Sequence, residues 1–449
     1  MKSNLKQKIM EEFILKKYLK VISAFWVTLL VLVGCGTEQE GNQASSSNGP
    51  VEIDFWYGLG SIAGQTMENI IKDFNESQDK YIVTGVQQAD YDTTWQAVQA
   101  GLAAGEAPAV FLNTTTIIHN YGGAEGILTD LSDLYDSDEF AGDELLEVFK
   151  NPAMVEDKPY AVPAYGTTQI IYYNKQILED AGLDPNQVYS TWENIADASR
   201  VMIDKSGTNK GHMLMYGPDN LVDLALSNNG LILSEDGTEV LINSPEWVEA
   251  WDFARNHIHD TGNMGINSSG QGWEYWYATI DTVMTGNSGS YTGSSGDRGD
   301  LDFSFIDAAP QPGLNGNDAA PTAGAHYMIV PEMISDAEKE AAKAWINYFA
   351  SQEVQANWSM KIGYVPIRSS VGEVEEYAAF ISENPYANVA FEQALIATPA
   401  FTDPTNGQII DALEIAADKV ELQNVPAQEA LDEAQAIAQA ALNEVLESQ

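Results

Sequence analysis

Several aromatic residues lie in a stretch of the chain that is otherwise small and polar. Residues 262–300 are rich in Gly, Ser and Asn, yet they include Trp273, Tyr275, Trp276 and Tyr291. Flat rings stack on the C–H faces of sugars, while polar side chains bind the hydroxyl groups at the edges. The pattern predicts a loop that binds a hydroxyl-rich ligand. The alternative is a loop that these rings only anchor by packing.

The residues that could perform catalysis form no recognisable arrangement. Asp and Glu total 66, so any two could be proposed as an acid and a base and their presence carries no information. His257 and His259 are two positions apart on a predicted helix, where such side chains face opposite sides. Asp297, Asp300 and Asp302 resemble a calcium loop only loosely, because its later Glu is absent. We therefore expect no enzyme activity, no metal site and no cofactor.

The single cysteine, Cys35, follows a basic N-terminus and a short apolar run. The run ends in Leu32-Val33-Gly34-Cys35, which resembles the lipobox of bacterial lipoproteins, where the cysteine is lipidated. Residues 1–34 are accordingly predicted to be a lipoprotein signal peptide. The alternative is a membrane anchor with an incidental cysteine, and translation could start at Met1 or Met10.

Residues 35–50 are rich in Gly, Ser, Asn and Gln, which is typical of a flexible tether. An anchor followed by a tether predicts that the folded part lies outside the cytoplasmic membrane, attached to its outer face through Cys35. The chain after residue 34 has 15 basic and 64 acidic residues, a net charge of −49.

Such a surface repels nucleic acid, which we exclude as a partner, and also repels anionic lipid, so membrane attachment needs a covalent anchor. We interpret the acidity as a solvated surface adapted to high salt or to an unusual external pH. Full stability in salt-free buffer would contradict the salt hypothesis.

Strand and helix patterns alternate along the first part of the folded chain. Alternating apolar residues predict strands over 51–56 and 81–86, and helical stripes predict helices over 65–75 and 91–104. A third strand is predicted over 109–112. This order is typical of an α/β fold, in which ligands bind at the carboxyl ends of the strands. Tyr57, Tyr91, Asn113 and Thr115 follow those ends.

Five stretches of the chain resemble the extracellular solute-binding proteins of ABC importers, in the branch that binds carbohydrates and glycerol-3-phosphate. The resemblance covers about residues 51–447. The stretches are IDFWYGLG, LAAGEAPAVF, YAVPAYGTTQIIYYNKQILEDAGLDP followed by TWENI, MTGNSGSY, and AWINYFASQEVQANWSMKIGYVPIRSS. Their order and spacing match those of the family, and the third and fifth are the most specific.

The resemblance implies a two-lobe, type II periplasmic-binding-protein-like fold with a central cleft and hinge strands. We expect residues 51–115 and 284–322 to form lobe 1, and 116–283 and 323–449 to form lobe 2. The terminal helices are expected to pack on both lobes. The family also implies a monomer whose partner is the permease of an importer.

The resemblance also implies ligand-binding positions. Tyr91, Tyr165 and Tyr364 match recurrent pocket residues, and Asn113, Thr115, Ser290 and Gly324 lie in segments that approach the ligand. Together with the aromatic residues above, the predicted ligand-binding set is Tyr57, Tyr91, Asn113, Thr115, Tyr165, Trp273, Tyr275, Trp276, Ser290, Tyr291, Gly324 and Tyr364. For each, a packing or turn role is the alternative.

The ligand class remains open between several alternatives. The glycerol-3-phosphate branch tends to place an acidic residue near position 115 and an Arg in 400–408, whereas this chain has Thr115 and no Arg there. A phosphate prefers an Arg fork, so a carbohydrate is expected. Glycerol-3-phosphate or a glycerophosphodiester is the alternative, since Arg298 or Arg368 could serve. A surface-anchored glycoside-acting enzyme and an adhesin or scaffold without a small ligand are the rival classes.

Overall fold

The computed structural model describes residues 49–123 and 126–448. The predicted signal peptide, Cys35 and all but the last two residues of the predicted tether lie outside the described residues. Across the described ranges, none of the helices combines the length and the apolar composition that crossing a lipid bilayer requires.

The chain alternates strands and helices along most of its length. The strands are β1 (Val51–Tyr57), β2 (Tyr81–Gln87), β3 (Val110–Asn113), β4 (Met154–Val155), β5 (Lys158–Pro159), β6 (Ala161–Asn174), β7 (Lys210–Met213), β8 (Met264–Gly265), β9 (Ser288–Ser294), β10 (Ile306–Ala309), β11 (Thr322–Ile329) and β12 (Thr398–Pro399).

The helices are α1 (Ser61–Ser77), α2 (Tyr91–Ala104), α3 (Thr115–Tyr121), α4 (Ser132–Tyr135), α5 (Glu147–Lys150), α6 (Lys175–Ala181), α7 (Pro185–Val188), α8 (Trp192–Ser206), α9 (Pro218–Leu226), α10 (Pro245–Arg255), α11 (Glu274–Met284), α12 (Asp336–Phe349), α13 (Gln352–Ile362), α14 (Glu375–Glu383), α15 (Val389–Ala394), α16 (Gln408–Glu421) and α17 (Ala427–Ser448).

Local sequence explains where these elements begin and end. Asp90 caps α2 by accepting a hydrogen bond from the Thr93 amide at 2.7 Å, and α2 ends at Gly105 in the left-handed region. Ser335 and Glu338 form the capping box that the sequence predicts at the start of α12. The α/β class expected from the alternating patterns is confirmed.

One sheet runs through the whole described fold, in the order β2-β1-β3-β11-β6-β9-β7-β8. Strands β1, β2 and β3 pair in parallel, while β11 is antiparallel to both β3 and β6. The 14-residue β6 pairs with β11 through its first half and with β9 through its second half. Strand β6 therefore belongs to both halves of the sheet.

Separate hydrophobic cores cover the two halves of the sheet. The first core contains Phe55, Phe74 and Trp345, and we name the body around it the first lobe. The second contains Trp192 and Trp251, and we name its body the second lobe. Helices α12 and α13 pack in the first core, whereas α16 and α17 pack in the second.

The two cores draw residues from distant parts of the chain, with Phe140 and Trp345 in the first core and Leu314 in the second. Inside β6 the pairing partner changes from β11 to β9. The lobe boundaries expected from the sequence stay a prediction.

Candidate functional site

A cavity of about 360 Å³ opens at the carboxyl end of β1, between elements of both lobes. Residues 58–63 after β1 line one side, together with Tyr91 at the start of α2 and Tyr364 after α13. The opposite side is formed by α11 and by the turn after β9. The middle of β6 contributes Thr167 and Gln169 to the lining. Ligands of α/β proteins generally bind at the carboxyl ends of the strands, and this cavity lies at such an end.

On the first-lobe side of the cavity, the loop after β1 packs closely against the residues just before α2. A Cβ atom added to Gly58 would lie 2.2 Å from the carbonyl carbon of Asp90, so only glycine fits at this position. The contact holds the loop after β1 against the start of α2. Tyr91, the first residue of α2, is thereby fixed at the edge of the cavity.

Four rings form what we name the tyrosine wall: Tyr91, Tyr165, Tyr364 and His326. Tyr91 stacks on His326 with ring centroids 4.1 Å apart, and Tyr165 stacks on Tyr364 at 4.4 Å. The hydroxyl groups of Tyr91 and Tyr165 are 2.8 Å apart and share a hydrogen bond. Tyr165 is fully buried and supports the other rings from behind.

The tyrosine wall is uncharged at neutral pH. Burial lowers the pKa of His326 to about 4 and raises the pKa of the Tyr91 phenol above its usual range. A register shift between His326 and Tyr327 interrupts the pairing of β11 with β6 beside the cavity. Such irregularities change the direction in which side chains point next to binding sites. The wall offers neutral rings and neutral hydrogen-bonding groups.

The opposite side is what we name the tryptophan wall, formed by Trp273, Tyr275 and Trp276. Trp273 precedes α11, and the other two residues lie in its first turn. This corrects the prediction of a loop here, because Glu274–Met284 forms a helix after the glycines at 270 and 272. All three rings are partly exposed and line the cavity.

A buried carboxylate, Asp297, fixes the tryptophan wall. Its Oδ1 accepts a hydrogen bond from Trp276 Nε1 at 2.7 Å, and its Oδ2 accepts one from the Tyr291 hydroxyl at 3.2 Å. Burial raises the pKa of Asp297 to about 7. Trp276 is therefore held in one orientation by a group whose charge changes near neutral pH.

Acidic groups line the cavity and basic groups do not. Asp219, Asp297 and Asp300 belong to the lining, which contains no Lys or Arg. In the described part of the chain, no group of three or more His, Cys, Asp or Glu side chains is placed to hold a metal ion. The arrangement can bind a ligand by ring stacking and hydrogen bonding, and it repels anions.

With this geometry established, comparison with known proteins identifies the family. Residues 69–387 match the family model described as bacterial extracellular solute-binding protein. The chain belongs to this family. Solute-binding proteins of this kind work with the permeases of ABC importers, so the resemblance seen in the sequence is confirmed.

Relatives of this solute-binding protein carry names that refer to glycerophosphates. The sn-glycerol-3-phosphate-binding periplasmic protein UgpB of Yersinia pestis is 24% identical over 381 residues, covering 78% of this chain and 81% of that protein. UgpB of Salmonella typhi is 24% identical over 383 residues, covering 77% and 81%.

Solved structures of two-lobe binding proteins share the fold. The GacH receptor of Streptomyces glaucescens, solved unliganded and with acarbose, superposes with a TM-score of 0.77 at 18% identity, covering 88% of this chain and 99% of GacH. UgpB of Mycobacterium tuberculosis in complex with glycerophosphocholine gives 0.76 at 22% identity, covering 89% and 100%. The two-lobe fold expected from the sequence is confirmed.

Five of the predicted ligand-binding residues of this solute-binding protein line the cavity, namely Tyr91, Trp273, Tyr275, Trp276 and Tyr364. The sequence did not indicate several other residues that the fold brings to the lining of this cavity. These are Thr167, Gln169, Asp219, Asp297, Asp300 and His326. Thr167 and Gln169 lie inside the third of the family-like stretches, which was the one available signal for them.

The structure places the other seven predicted residues outside this cavity. Three of them support its walls. Tyr165 packs behind Tyr91, and Tyr291 donates to Asp297. Asn113 Nδ2 donates to the Tyr91 carbonyl at 3.1 Å and lines a separate cavity of about 500 Å³.

The remaining four are occupied by contacts within the fold. Tyr57 is buried against Phe55, with ring centroids 5.2 Å apart. Thr115 is buried at the start of α3. Ser290 Oγ lies 2.9 Å from His212 Nδ1, and Gly324 approaches Ala400. Their predicted contact with ligand has no counterpart in the lining of this cavity.

Proposed function

We propose that this solute-binding protein captures a carbohydrate, a mono- or oligosaccharide, in the cavity between its lobes and delivers it to the permease of an ABC importer. The observation that carries the proposal is the composition of the cavity. Aromatic rings form two of its sides, neutral groups such as Gln169 supply hydrogen bonds, and no basic side chain is present. Such a surface suits hydroxyl groups and C–H faces.

The arginines that could bind a phosphate are engaged elsewhere. Arg298 is buried, donates to the carbonyls of Ser359 and Ala387, and lies over the ring of Phe380. Arg368 is buried as well, donates to the Phe140 carbonyl and pairs with Glu144 at 3.6 Å. Neither lines the cavity, which disfavours glycerol-3-phosphate because the only acidic or basic side chains that its phosphate would meet there, apart from His326, are carboxylates.

A glycerophosphodiester is the second candidate ligand. The names of the UgpB relatives and the glycerophosphocholine in the Mycobacterium tuberculosis structure favour it. A diester carries one negative charge rather than two, so repulsion by the acidic lining is smaller. This candidate requires no change to the fold or to the proposed transport role.

In this proposal, the two lobes close around the ligand by rotation about a hinge, and closure allows delivery to the permease. A ligand that contacts the tyrosine wall and the tryptophan wall together binds the closed form more tightly than the open form, and therefore shifts the population towards closure. The permease then recognises the closed form. The protein works as a monomer, without a cofactor and without changing its ligand.

We further propose that Cys35 is lipidated after removal of residues 1–34, and that the following residues tether the folded part to the outer face of the cytoplasmic membrane. The support is the sequence of residues 1–50. Cys35→Ser is expected to move the protein from the membrane fraction to the medium. Equal membrane retention of the variant and the parent would contradict the anchor.

Calorimetry with neutral mono- and oligosaccharides, glycerol-3-phosphate and glycerophosphocholine tests the ligand class. We expect binding by at least one saccharide, with compaction measured by small-angle scattering. Binding of glycerol-3-phosphate alone would overturn the choice of carbohydrate. Turnover of a saccharide that one carboxylate substitution abolishes would favour an enzyme, and absence of any ligand-induced compaction would favour a scaffold.

A further inference from the structure

The rings of the tryptophan wall face in different directions. The ring planes of Trp273 and Trp276 are 88° apart with centroids at 5.8 Å, and those of Tyr275 and Trp276 are 73° apart at 6.3 Å. All three line the same cavity. Rings at steep angles beside one cavity offer both edges and faces to it, and a π face attracts an ammonium group through the ring quadrupole.

The carboxyl groups around these rings have no counter-charge, and burial raises the pKa of each above its usual range. Asp219, Asp297 and Asp300 line the cavity, and none of them forms an ion pair with a Lys, Arg or His of the described residues. Asp297 accepts two hydrogen bonds from neutral donors, which orient the carboxylate without neutralising it. Asp300 accepts one from Ser61 Oγ at 3.1 Å.

Closure around a wholly neutral ligand would remove water from these carboxyl groups, which would then either take up protons or remain charged without a counter-charge. Burying an unpaired charge is costly, whereas burying it beside an opposite charge recovers much of the loss. An anion would increase the repulsion. A cation at this end of the cavity satisfies both the carboxylates and the rings.

We infer that the natural ligand carries a substituted ammonium group, held between the rings of Trp273, Tyr275 and Trp276 and beside the cavity aspartates. The inference rests on the proposed function and refines its ligand class. The hydroxyl-rich remainder of the ligand faces Tyr91, Gln169 and His326, which are neutral. The ammonium group could belong to an amino sugar or to a choline-bearing glycerophosphodiester.

Calorimetry with matched ligand pairs tests the inference. Glucosamine disaccharide is compared with its neutral N-acetylated form, and glycerophosphocholine with glycerophosphoglycerol, a diester of the same phosphate charge that lacks the ammonium group. We expect the ammonium-bearing member of at least one pair to bind tenfold or more tightly than its counterpart, and the pair that shows this identifies the source. Equal affinities within both pairs, or tighter binding of the members without ammonium, overturn the inference and leave the proposed function intact. No binding by any of these ligands or by neutral oligosaccharides contradicts both.

Substitution of the cavity aspartates tests whether their charges attract the ammonium group. Asp219→Asn and Asp300→Asn together are expected to reduce the ammonium preference, the ratio of the two affinities within a pair, at least tenfold. Asp281→Asn is the matched control, because Asp281 is exposed on α11 and lies outside the cavity lining. An unchanged preference in the double variant, with the fold intact by circular dichroism, overturns the assignment of the ammonium to this end of the cavity.

Discussion

The two walls of the cavity hold their aromatic rings by different means. The tyrosine wall is stacked ring on ring, linked by a phenol pair and neutral. The tryptophan wall is partly exposed, its rings meet edge to face, and one of them depends on the buried Asp297. One wall is therefore built into a core, while the other is a helix face held by one carboxylate. From this difference we expect the tyrosine wall to set the shape of the proposed site, and the tryptophan wall to set its affinity and charge preference.

The largest effect is expected from breaking the support of the tyrosine wall. Gly58→Ala would place a methyl group 2.2 Å from the Asp90 carbonyl carbon, so the backbone must shift. We expect a loss of about 2–3 kcal/mol in the free energy of unfolding, measured by urea denaturation. Gly60→Ala is the control, since nothing lies within 4 Å of its added methyl group and its φ is −106°. Equal stability of the two variants would show that the wall does not depend on this contact.

Truncating the tryptophan wall should affect ligand binding more than folding. Trp276→Ala removes a cavity ring and leaves Asp297 Oδ1 without its donor. An affinity loss of about 30-fold or more is expected by calorimetry, because aromatic side chains that a bound partner covers contribute much of the binding energy. Trp276→Phe keeps a ring but loses the N–H group, and should fall between the parent and Trp276→Ala. Parent-like affinity in both variants would contradict the role assigned to this wall.

The walls should also respond differently to pH. Burial raises the pKa of Asp297 to about 7 and lowers that of His326 to about 4, so between pH 5 and 8 Asp297 changes charge and His326 stays neutral. The folded state binds the Asp297 proton more tightly than the unfolded state does. Its contribution to stability is therefore fully present below the unfolded pKa, near 4, and is lost as pH rises through about 7.

The ligand-free protein is accordingly expected to melt several degrees higher at pH 5.5 than at pH 8.5. Buried Asp223 and Glu421, with pKa values raised to about 7 and about 8, act in the same direction. Asp297→Asn should lessen the difference in melting temperature, whereas His326→Gln should widen it, because a histidine of the unfolded chain takes up a proton below about pH 6.5 and buried His326 does not. A melting temperature that rises with pH would contradict the assignment.

The smallest effect is expected from the phenol pair of the tyrosine wall. Tyr91→Phe removes one partner of the 2.8 Å contact with Tyr165 but keeps the stack on His326. We expect a loss of about 1 kcal/mol in the free energy of unfolding, and less than a tenfold change in affinity. A loss of affinity as large as that of Trp276→Ala would mean that the hydroxyl group itself binds ligand.

The sequence predicted the class of fold and the aromatic part of the site. Alternating patterns located β1 to β3 with α1 and α2, and the family resemblance at Tyr91, Tyr165 and Tyr364 indicated residues of the tyrosine wall. Trp273 and Trp276 were found because large rings are unusual among small polar residues. Their helix was missed, since the glycines before it made the segment read as a loop.

The sequence did not indicate which of the charged residues belong to the site. Asp297 is one of 66 acidic residues, and its role depends on burial beside Trp276 and Tyr291, which only the fold creates. The same limit applies to the arginines. Arg298 follows Asp297 directly in the sequence. The Asp297 side chain lines the cavity, whereas the Arg298 side chain is buried with its guanidinium over the Phe380 ring.

The path of β6 has a mechanical consequence for transport. The strand exchanges its pairing partner between Thr168 and Gln169, so any rotation of one lobe against the other must bend the backbone there. Thr167 and Gln169 are also part of the cavity lining. In the proposed mechanism, a solute bound in this cavity contacts β6 at the hinge as well as both lobes, so we expect its binding to restrain hinge motion directly.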